Sequence, residues 1–258
     1  AEILSNLPNL KFIARAGSGL ENIDLLFCAQ NNIQVFSSPE GNRDAVAEHT
    51  IGMLLMLQNH LKRADSEVRE GIWRRAENRG FELKGKTIGI IGYGVMGKSF
   101  AQRLSGFNIN TIAFDSNKKN FGDDFTKEVT LKEVYKNADI ISIHINYHLK
   151  NKYLVDKKFI DSIKKPFILI NTARGFNVNT ADLVSGLKSG KVLGACLDVL
   201  EYEATSFESV SDAKTLKALD YLKNSDKVIL SPHIAGWTVE SHFKLSNVLA
   251  DKIENWLK

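Results

Sequence analysis

Three polar side chains stand just past apolar runs that read as the ends of strands. Arg174 follows FILINT, Glu203 follows VLGACLDVL, and His233 follows KVILS. Ligands of open α/β sheets collect at that edge, so the three are candidates for one site. Their chemistry is complementary. An arginine can hold a carboxylate and polarise the neighbouring carbonyl. A histidine can give a proton to the carbonyl oxygen as hydride reaches the carbon. A carboxylate against the imidazole fixes its tautomer and favours its charged form. Together these are the groups that reduction of a 2-keto acid requires. Taken singly, each has a plainer account: Arg174 as a turn-capping cation, Glu203 as a solvated loop acid, His233 as a satisfied core histidine.

A hydride carrier has its own signature in residues 86–115, KTIGIIGYGVMGKSFAQRLSGFNINTIAFD. The run TIGII is short enough for a buried strand. Gly92, Gly94 and Gly97 follow in G-x-G-x-x-G spacing, then a helical stretch to about Phe107 and a second apolar run ending in Asp115. The first glycine makes the tight turn, the second lets backbone approach a pyrophosphate, and the third lets helix and strand pack closely. The helix then aims its N-terminal amides at the phosphates. Asp115, 18 residues after Gly97, stands where an acid hydrogen-bonds an adenosine ribose 2′-hydroxyl. A carboxylate there repels a 2′-phosphate, so NAD is expected over NADP. Lys118 and Lys119 are close enough in sequence to soften that repulsion.

These residues need a frame. From residue 86 to 233 strand and helix alternate: DIISIHI, a helix near 157–163, FILINT, the helix TADLVSGLKSG with Thr180 as its N-cap, then VLGACLDVL and KVILS. The strands are largely apolar rather than alternating, as strands covered on both faces should be. The expected fold is α/β, a doubly wound parallel sheet of the Rossmann type. Upstream, LKFIARAG and IQVFSS read as short strands, and residues 44–71 as one long helix whose middle, HTIGMLLMLQNHL, is apolar nearly all round. Downstream, Thr238 caps a last helix. The two ends are expected to form one smaller α/β domain, 1–48 with 234–258, interrupted by the large one, 49–233.

Composition sets bounds. The chain has 258 residues, 43% hydrophobic and 25% charged, enough for a core and too apolar for disorder. Its 34 basic and 30 acidic residues are interleaved and leave a net charge of +4, which is a solvated surface and not a nucleic-acid footprint. Cys28 and Cys196 lie in apolar surroundings and read as buried thiols of a reducing compartment; no metal site is expected. No apolar run has the length of a membrane span and nothing resembles a signal peptide, so a cytoplasmic location is expected, with no membrane partner.

The motifs together resemble the NAD-dependent D-2-hydroxyacid dehydrogenases, a family that includes D-3-phosphoglycerate dehydrogenase, glyoxylate and hydroxypyruvate reductases, and D-lactate dehydrogenase. RAGSGLENID is similar to its substrate loop, PEGNRDAVAEHTIGMLLML to its hinge and long helix, and ILINTARG, CLDVLEYE and SPHIAGWTVES to its catalytic segments. The resemblance implies Arg174, Glu203 and His233 as the catalytic residues. It puts pyrophosphate contacts on Gly94, Val95 and Met96, the ribose acid on Asp115, and other cofactor-lining positions on His144, Thr172, Asp198 and Gly236. Backbone amides near Ser18 and Gly19 correspond to the loop that receives the substrate carboxylate, which Arg174 and His233 also face. The nicotinamide is expected between Arg174 and His233. The family has a further stretch ahead of the first strand seen here, so the smaller domain is expected to be incomplete.

Departures from the pattern are Asn146 and Ala204 in place of usual prolines, a rival acid at Glu201, and Trp237 where a small residue is common. Within the stretch between Glu203 and the last strand, Leu216, Leu219 and Leu222 read as a short amphipathic helix. The RAGSGLENID loop and the short C-terminus are most similar to D-3-phosphoglycerate dehydrogenases without a regulatory domain, with glyoxylate or hydroxypyruvate reductase as the alternative. Arg74, Arg75 and Arg79 read either as a phosphate-holding cluster or as a solvated loop. A reading of another class is an NAD-sensing interaction protein similar to the corepressors built on this fold. A homodimer through residues 44–83 is expected, since the apolar helix and Trp73 offer more hydrophobic surface than a monomer exposes.

Overall fold

In the computed structural model, which describes residues 2–146, 148–203 and 216–258, the chain divides into two compact units. One joins Ala1–Ala45 with Gly236–Lys258 and the other is Val46–Ala235; the expected borders, after 48 and after 233, differ from these by three and two residues. In chain order the first elements are β1 (Phe12–Arg15), α1 (Leu25–Gln30), β2 (Gln34–Ser37), α2 (Pro39–Gln58) and α3 (Leu61–Arg69). Next come β3 (Thr87–Ile91), α4 (Val95–Leu104), β4 (Asn110–Phe114), β5 (Lys127–Glu128), α5 (Leu131–Asn137) and β6 (Ile140–Ile143). The last are α6 (Lys157–Ser162), β7 (Phe167–Asn171), α7 (Thr180–Ser189), β8 (Val192–Leu197), α8 (Leu216–Asn224), β9 (Val228–Leu230) and α9 (Val239–Leu257). Ala204 and the stretch 204–215, as well as the side chain of Leu216, lie outside the described residues.

In the larger unit seven strands form one sheet in the order β5-β4-β3-β6-β7-β8-β9, every pairing parallel. The chain starts at β3, steps outward to β4 and β5, then returns to the other side of β3 with β6 and runs outward to β9. That reversal is the switch point at which doubly wound sheets bind ligands, at the carboxyl ends of the strands. The period of two sorts the side chains into two layers. Ile141, Ile143, Phe167, Leu169 and Leu197 pack into one core with Phe159, Leu183 and Leu187. Ile88, Ile90, Ile140, Ile168 and Ile170 pack into the other with Leu54, Phe100 and Leu104. Each fully buried isoleucine or leucine of this kind contributes about 1.5–3 kcal/mol, so the sheet is held from both faces.

The one long helix expected over 44–71 is two. α2 begins earlier, with Pro39 at a position where its missing N–H costs nothing. It stops at Gln58, and His60 takes a left-handed backbone with φ 52°. The break is stabilised by the following loop: the Gln58 carbonyl accepts the Phe81 N–H at 3.0 Å, and Gly80 lies so close to Gln58 and Asn59 that a Cβ would meet their backbone at 2.8–2.9 Å. α7 is capped by Asn179, whose side chain accepts from the Asp182 N–H, and not by Thr180, which is its first residue.

In the smaller unit β1 and β2 form a parallel pair. Phe12 and Phe36 from that pair meet each other and Trp256 of α9 in edge-on contacts with centroids 5.7–6.0 Å apart. Lys252 of α9 donates to the Ser37 carbonyl and to Glu40, each at 2.8 Å. Thr238 caps α9 by accepting from the Ser241 N–H at 3.0 Å.

Candidate active site

The glycine turn lies between β3 and α4. Gly92 has φ 93°, and a Cβ there would stand 2.5 Å from the His144 carbonyl oxygen. No other residue type fits both constraints. Gly97 presses on the Gly92 carbonyl, so α4 can sit close against the turn. Gly94 differs: a Cβ would meet no atom within 4 Å. It is the N-cap of α4 and has no side chain to cap with, so no side chain of the cap residue takes up the first-turn amides near Val95 and Met96. Open space over uncapped amides at a positive helix end is what a diphosphate requires, and a dinucleotide fits this turn.

Asp115, just past β4, closes the turn from the side. One carboxylate oxygen accepts the Tyr93 N–H at 2.8 Å and the other the Asn117 N–H at 2.9 Å. Each oxygen keeps a lone pair for a ribose hydroxyl. Lys118 donates to the Tyr93 carbonyl at 2.9 Å, which places this cation against the turn.

His233 follows β9, and its Nδ1 lies 2.7 Å from Glu203 Oε2. The other Glu203 oxygen accepts the Leu200 N–H. Glu201, the rival acid, is turned elsewhere: it accepts the Thr180 N–H at 3.0 Å. His233 has φ 57°, a left-handed conformation that costs a non-glycine residue roughly 1–2 kcal/mol. The surroundings must hold it there, and Asp198 does: its carbonyl accepts the His233 N–H at 2.7 Å, and its carboxylate accepts the N–H groups of Ile234 and Ala235, each at 2.9 Å. Arg174 follows β7. Asn171 shapes that loop, donating to the Arg174 carbonyl at 2.9 Å and accepting the Ala173 N–H at 3.1 Å. Gly175 packs directly on the Leu200 carbonyl, so the arginine loop and the turn leading to Glu203 are pressed together.

The remaining sequence candidates divide. Thr172 Oγ1 lies 3.2 Å from Thr50 Oγ1 on α2. The His144 ring is spent on the core, against Phe100 and 2.8 Å from Ser142 Oγ. Burial pushes its pKa down to about 4, so it is neutral at pH 7, and what it presents to the turn is backbone. Asp198 is 1% exposed, which makes it chiefly the frame of the His233 loop. In the smaller unit Ser18 donates to Asn42 Oδ1 at 2.8 Å, Gly19 follows it, and Gly236 approaches the same Asn42 so closely that a Cβ would lie 2.5 Å from its nitrogen. Trp237 is exposed. Arg74 lies 3.6 Å from Glu67, within a network in which Arg63 and Glu67 both bond Asn78. Sequence reasoning passed over Asn171, Asn42 and Ser231; for Asn171 the signal was a lone amide at the end of an apolar strand. Among the described residues no helix is long and apolar enough to cross a membrane.

Residues 51–235 match the family model described as "D-isomer specific 2-hydroxyacid dehydrogenase, NAD binding domain". The chain is 35% identical to a D-3-phosphoglycerate dehydrogenase of Archaeoglobus fulgidus, a match that covers all of this chain and 47% of that protein. It is 34% identical to a hydroxypyruvate reductase of Thermotoga maritima, over 98% of this chain and 79% of that one. A D-lactate dehydrogenase from Aquifex aeolicus, solved with NAD and lactic acid, superposes with a TM-score of 0.85 at 32% identity, over 99% of this chain and 79% of that chain. The chain thus spans about half the length of the D-3-phosphoglycerate dehydrogenases it matches.

Proposed function

As the chain belongs to the D-isomer specific 2-hydroxyacid dehydrogenase family, we propose that it interconverts a D-2-hydroxy acid and its 2-keto acid. NAD is the cofactor, and when bound it supplies or takes the hydride. Gly92, Gly94, Val95, Met96 and Gly97 would hold its pyrophosphate, and Asp115 its adenosine ribose. The observation that carries the reading is the 2.7 Å contact between His233 Nδ1 and Glu203.

With Nδ1 committed to the carboxylate, proton delivery falls to Nε2. In reduction His233 gives that proton to the substrate carbonyl oxygen, and in oxidation it takes one from the hydroxyl. Glu203 stabilises the imidazolium and fixes the ring's orientation. Arg174 holds the substrate carboxylate and polarises the carbonyl. The loop that bears Ser18 and Gly19 is, by the family resemblance alone, a further candidate for binding substrate. As first substrate we take 3-phosphohydroxypyruvate, on the RAGSGLENID loop, with hydroxypyruvate and glyoxylate next. The similar identities to a phosphoglycerate dehydrogenase and a hydroxypyruvate reductase leave that ranking to turnover.

The test is NADH oxidation followed by absorbance with 3-phosphohydroxypyruvate, hydroxypyruvate, glyoxylate and pyruvate. At least one is expected to turn over. His233→Ala and Arg174→Ala should each lower turnover by ~10²–10⁴ while leaving NAD affinity nearly intact. NAD binding with no turnover of any 2-keto acid would favour a sensing protein and overturn the proposal.

A further inference from the structure

The loop that carries His233 is built on one buried carboxylate. Asp198 accepts Ser231 Oγ–H at 2.6 Å and the Ile234 N–H at 2.9 Å on one oxygen, and the Ala235 N–H at 2.9 Å on the other. These bonds, with the Asp198 carbonyl on the His233 N–H, fix the backbone on both sides of the histidine. A second histidine reaches this frame from α2. His49 Nε2 lies 2.9 Å from Ser231 Oγ and 3.6 Å from Asp198 Oδ1, and Met53, one turn further along, meets the same Ser231 oxygen through Sδ at 3.6 Å.

The direction of the hydrogen bonds follows from the inventory of protons. An ionised carboxylate only accepts. Ser231 has a single proton, and the 2.6 Å contact assigns it to Asp198. The bond between Ser231 and His49 then needs its hydrogen on His49 Nε2. Among the described residues His49 is the one basic side chain within 4 Å of Asp198.

We propose that His49 is a positioning residue for His233. It donates Nε2–H to Ser231, turns the Ser231 proton onto Asp198, and so holds residues 231–235 in the shape that presents His233. The proposal rests on the reading of His233 as the proton donor.

Histidine-labelled protein without cofactor provides a test independent of turnover. Long-range ¹H–¹⁵N spectra at neutral pH should find a proton on His49 Nε2. His49→Ala should move the His233 ring signals and lower kcat for keto-acid reduction about 3- to 10-fold, the worth of one lost hydrogen bond. KM and NADH affinity, the latter by fluorescence titration, should stay within about twofold on the same argument. His49→Gln, whose amide can donate at the same place, should recover most of the loss. A neutral His49 protonated on Nδ1, unmoved His233 signals in His49→Ala, or a glutamine variant as damaged as alanine would each overturn the proposal. If His49→Ala does not fold, the wild-type tautomer and Ser231→Ala decide it: that variant should shift both His49 Nε2 and the His233 ring, and leaving either in place refutes the link. Absence of turnover in the wild type would refute the dehydrogenase reading alone, since the spectra still report the coupling.

Discussion

His233 and Glu203 meet through Nδ1 and Oε2 at 2.7 Å, while Glu201, two residues away in sequence, is held at the start of α7 by the Thr180 N–H. The two acids should therefore respond differently to loss of charge. In Glu203→Gln the neutral amide no longer stabilises an imidazolium on His233 as the carboxylate does, so turnover should fall by about tenfold or more. Glu201→Gln should leave turnover nearly unchanged. Steady-state rates of each variant check the assignment, and a loss seen only in Glu201→Gln would move the role to that residue. Burial of His144 leads to a second expectation. Its native pKa is pushed down to about 4 against an ordinary value of 6.5. Between these values the unfolded chain binds a proton that the native chain refuses, so stability falls as pH drops from 6.5 toward 4. By pH 5 this amounts to roughly 2 kcal/mol. Urea unfolding of His144→Gln should show a flatter dependence over that range, and parallel curves would remove His144 from the account.

At the scale of elements, the turn between β3 and α4 and the end of β4 act as one unit. Asp115 carries the amides of Tyr93 and Asn117, and Lys118 carries the Tyr93 carbonyl. Asp115→Ala should narrow the preference for NAD over NADP from both sides, since it deletes a hydrogen bond to the ribose and a repulsion of the 2′-phosphate. It should weaken NAD binding further by loosening the turn itself. Titration of both cofactors checks this, and equal affinities in the unmutated protein would sink it. The strand positions and the glycine turn were legible because their signals are local: apolar runs of strand length, and three glycines with fixed spacing. What was not legible depended on partners far away in sequence. The end of α2 at Gln58 is set by Gly80 and Phe81, residues that no periodicity in 44–71 can announce. α5 was passed over although Thr130 and Glu133 form a capping box, a signal that is present in the sequence. Asn179 displaced Thr180 as the cap of α7 because both residue types cap well and only geometry separates them. At the candidate site, the side chains proposed to act stand out in the sequence by their place after strand ends, and the ones that hold them do not. Asn171, Ser231 and His49 look like ordinary polar residues until the sheet places them beside Arg174, Asp198 and His233.

For the whole molecule, the larger unit leaves Leu61, Val68, Trp73 and Phe81 exposed, Trp73 by 77%. The loop that bears Trp73 is nonetheless ordered by Arg63, Glu67 and Asn78. An ordered loop that displays aromatic surface suits a partner, and a homodimer through residues 44–83 is expected. Sedimentation at micromolar concentration should find the dimer, and Trp73→Asp should shift it toward monomer; a wild-type protein that stays monomeric would argue against this surface. The smaller unit has a different consequence, in the timing of synthesis. Phe12 and Phe36 are completed by Trp256, which lies almost at the far end of the chain. At common elongation rates the ribosome needs on the order of 10–40 s to travel from Phe36 to Trp256. Through that interval Phe12 and Phe36 have each other but not the Trp256 ring, while β3 to β9 emerge as one continuous run that can fold as it appears. The strand pair β1–β2 is therefore completed only after the larger unit's sheet, and its aromatic face waits for α9 while the residues between are being translated.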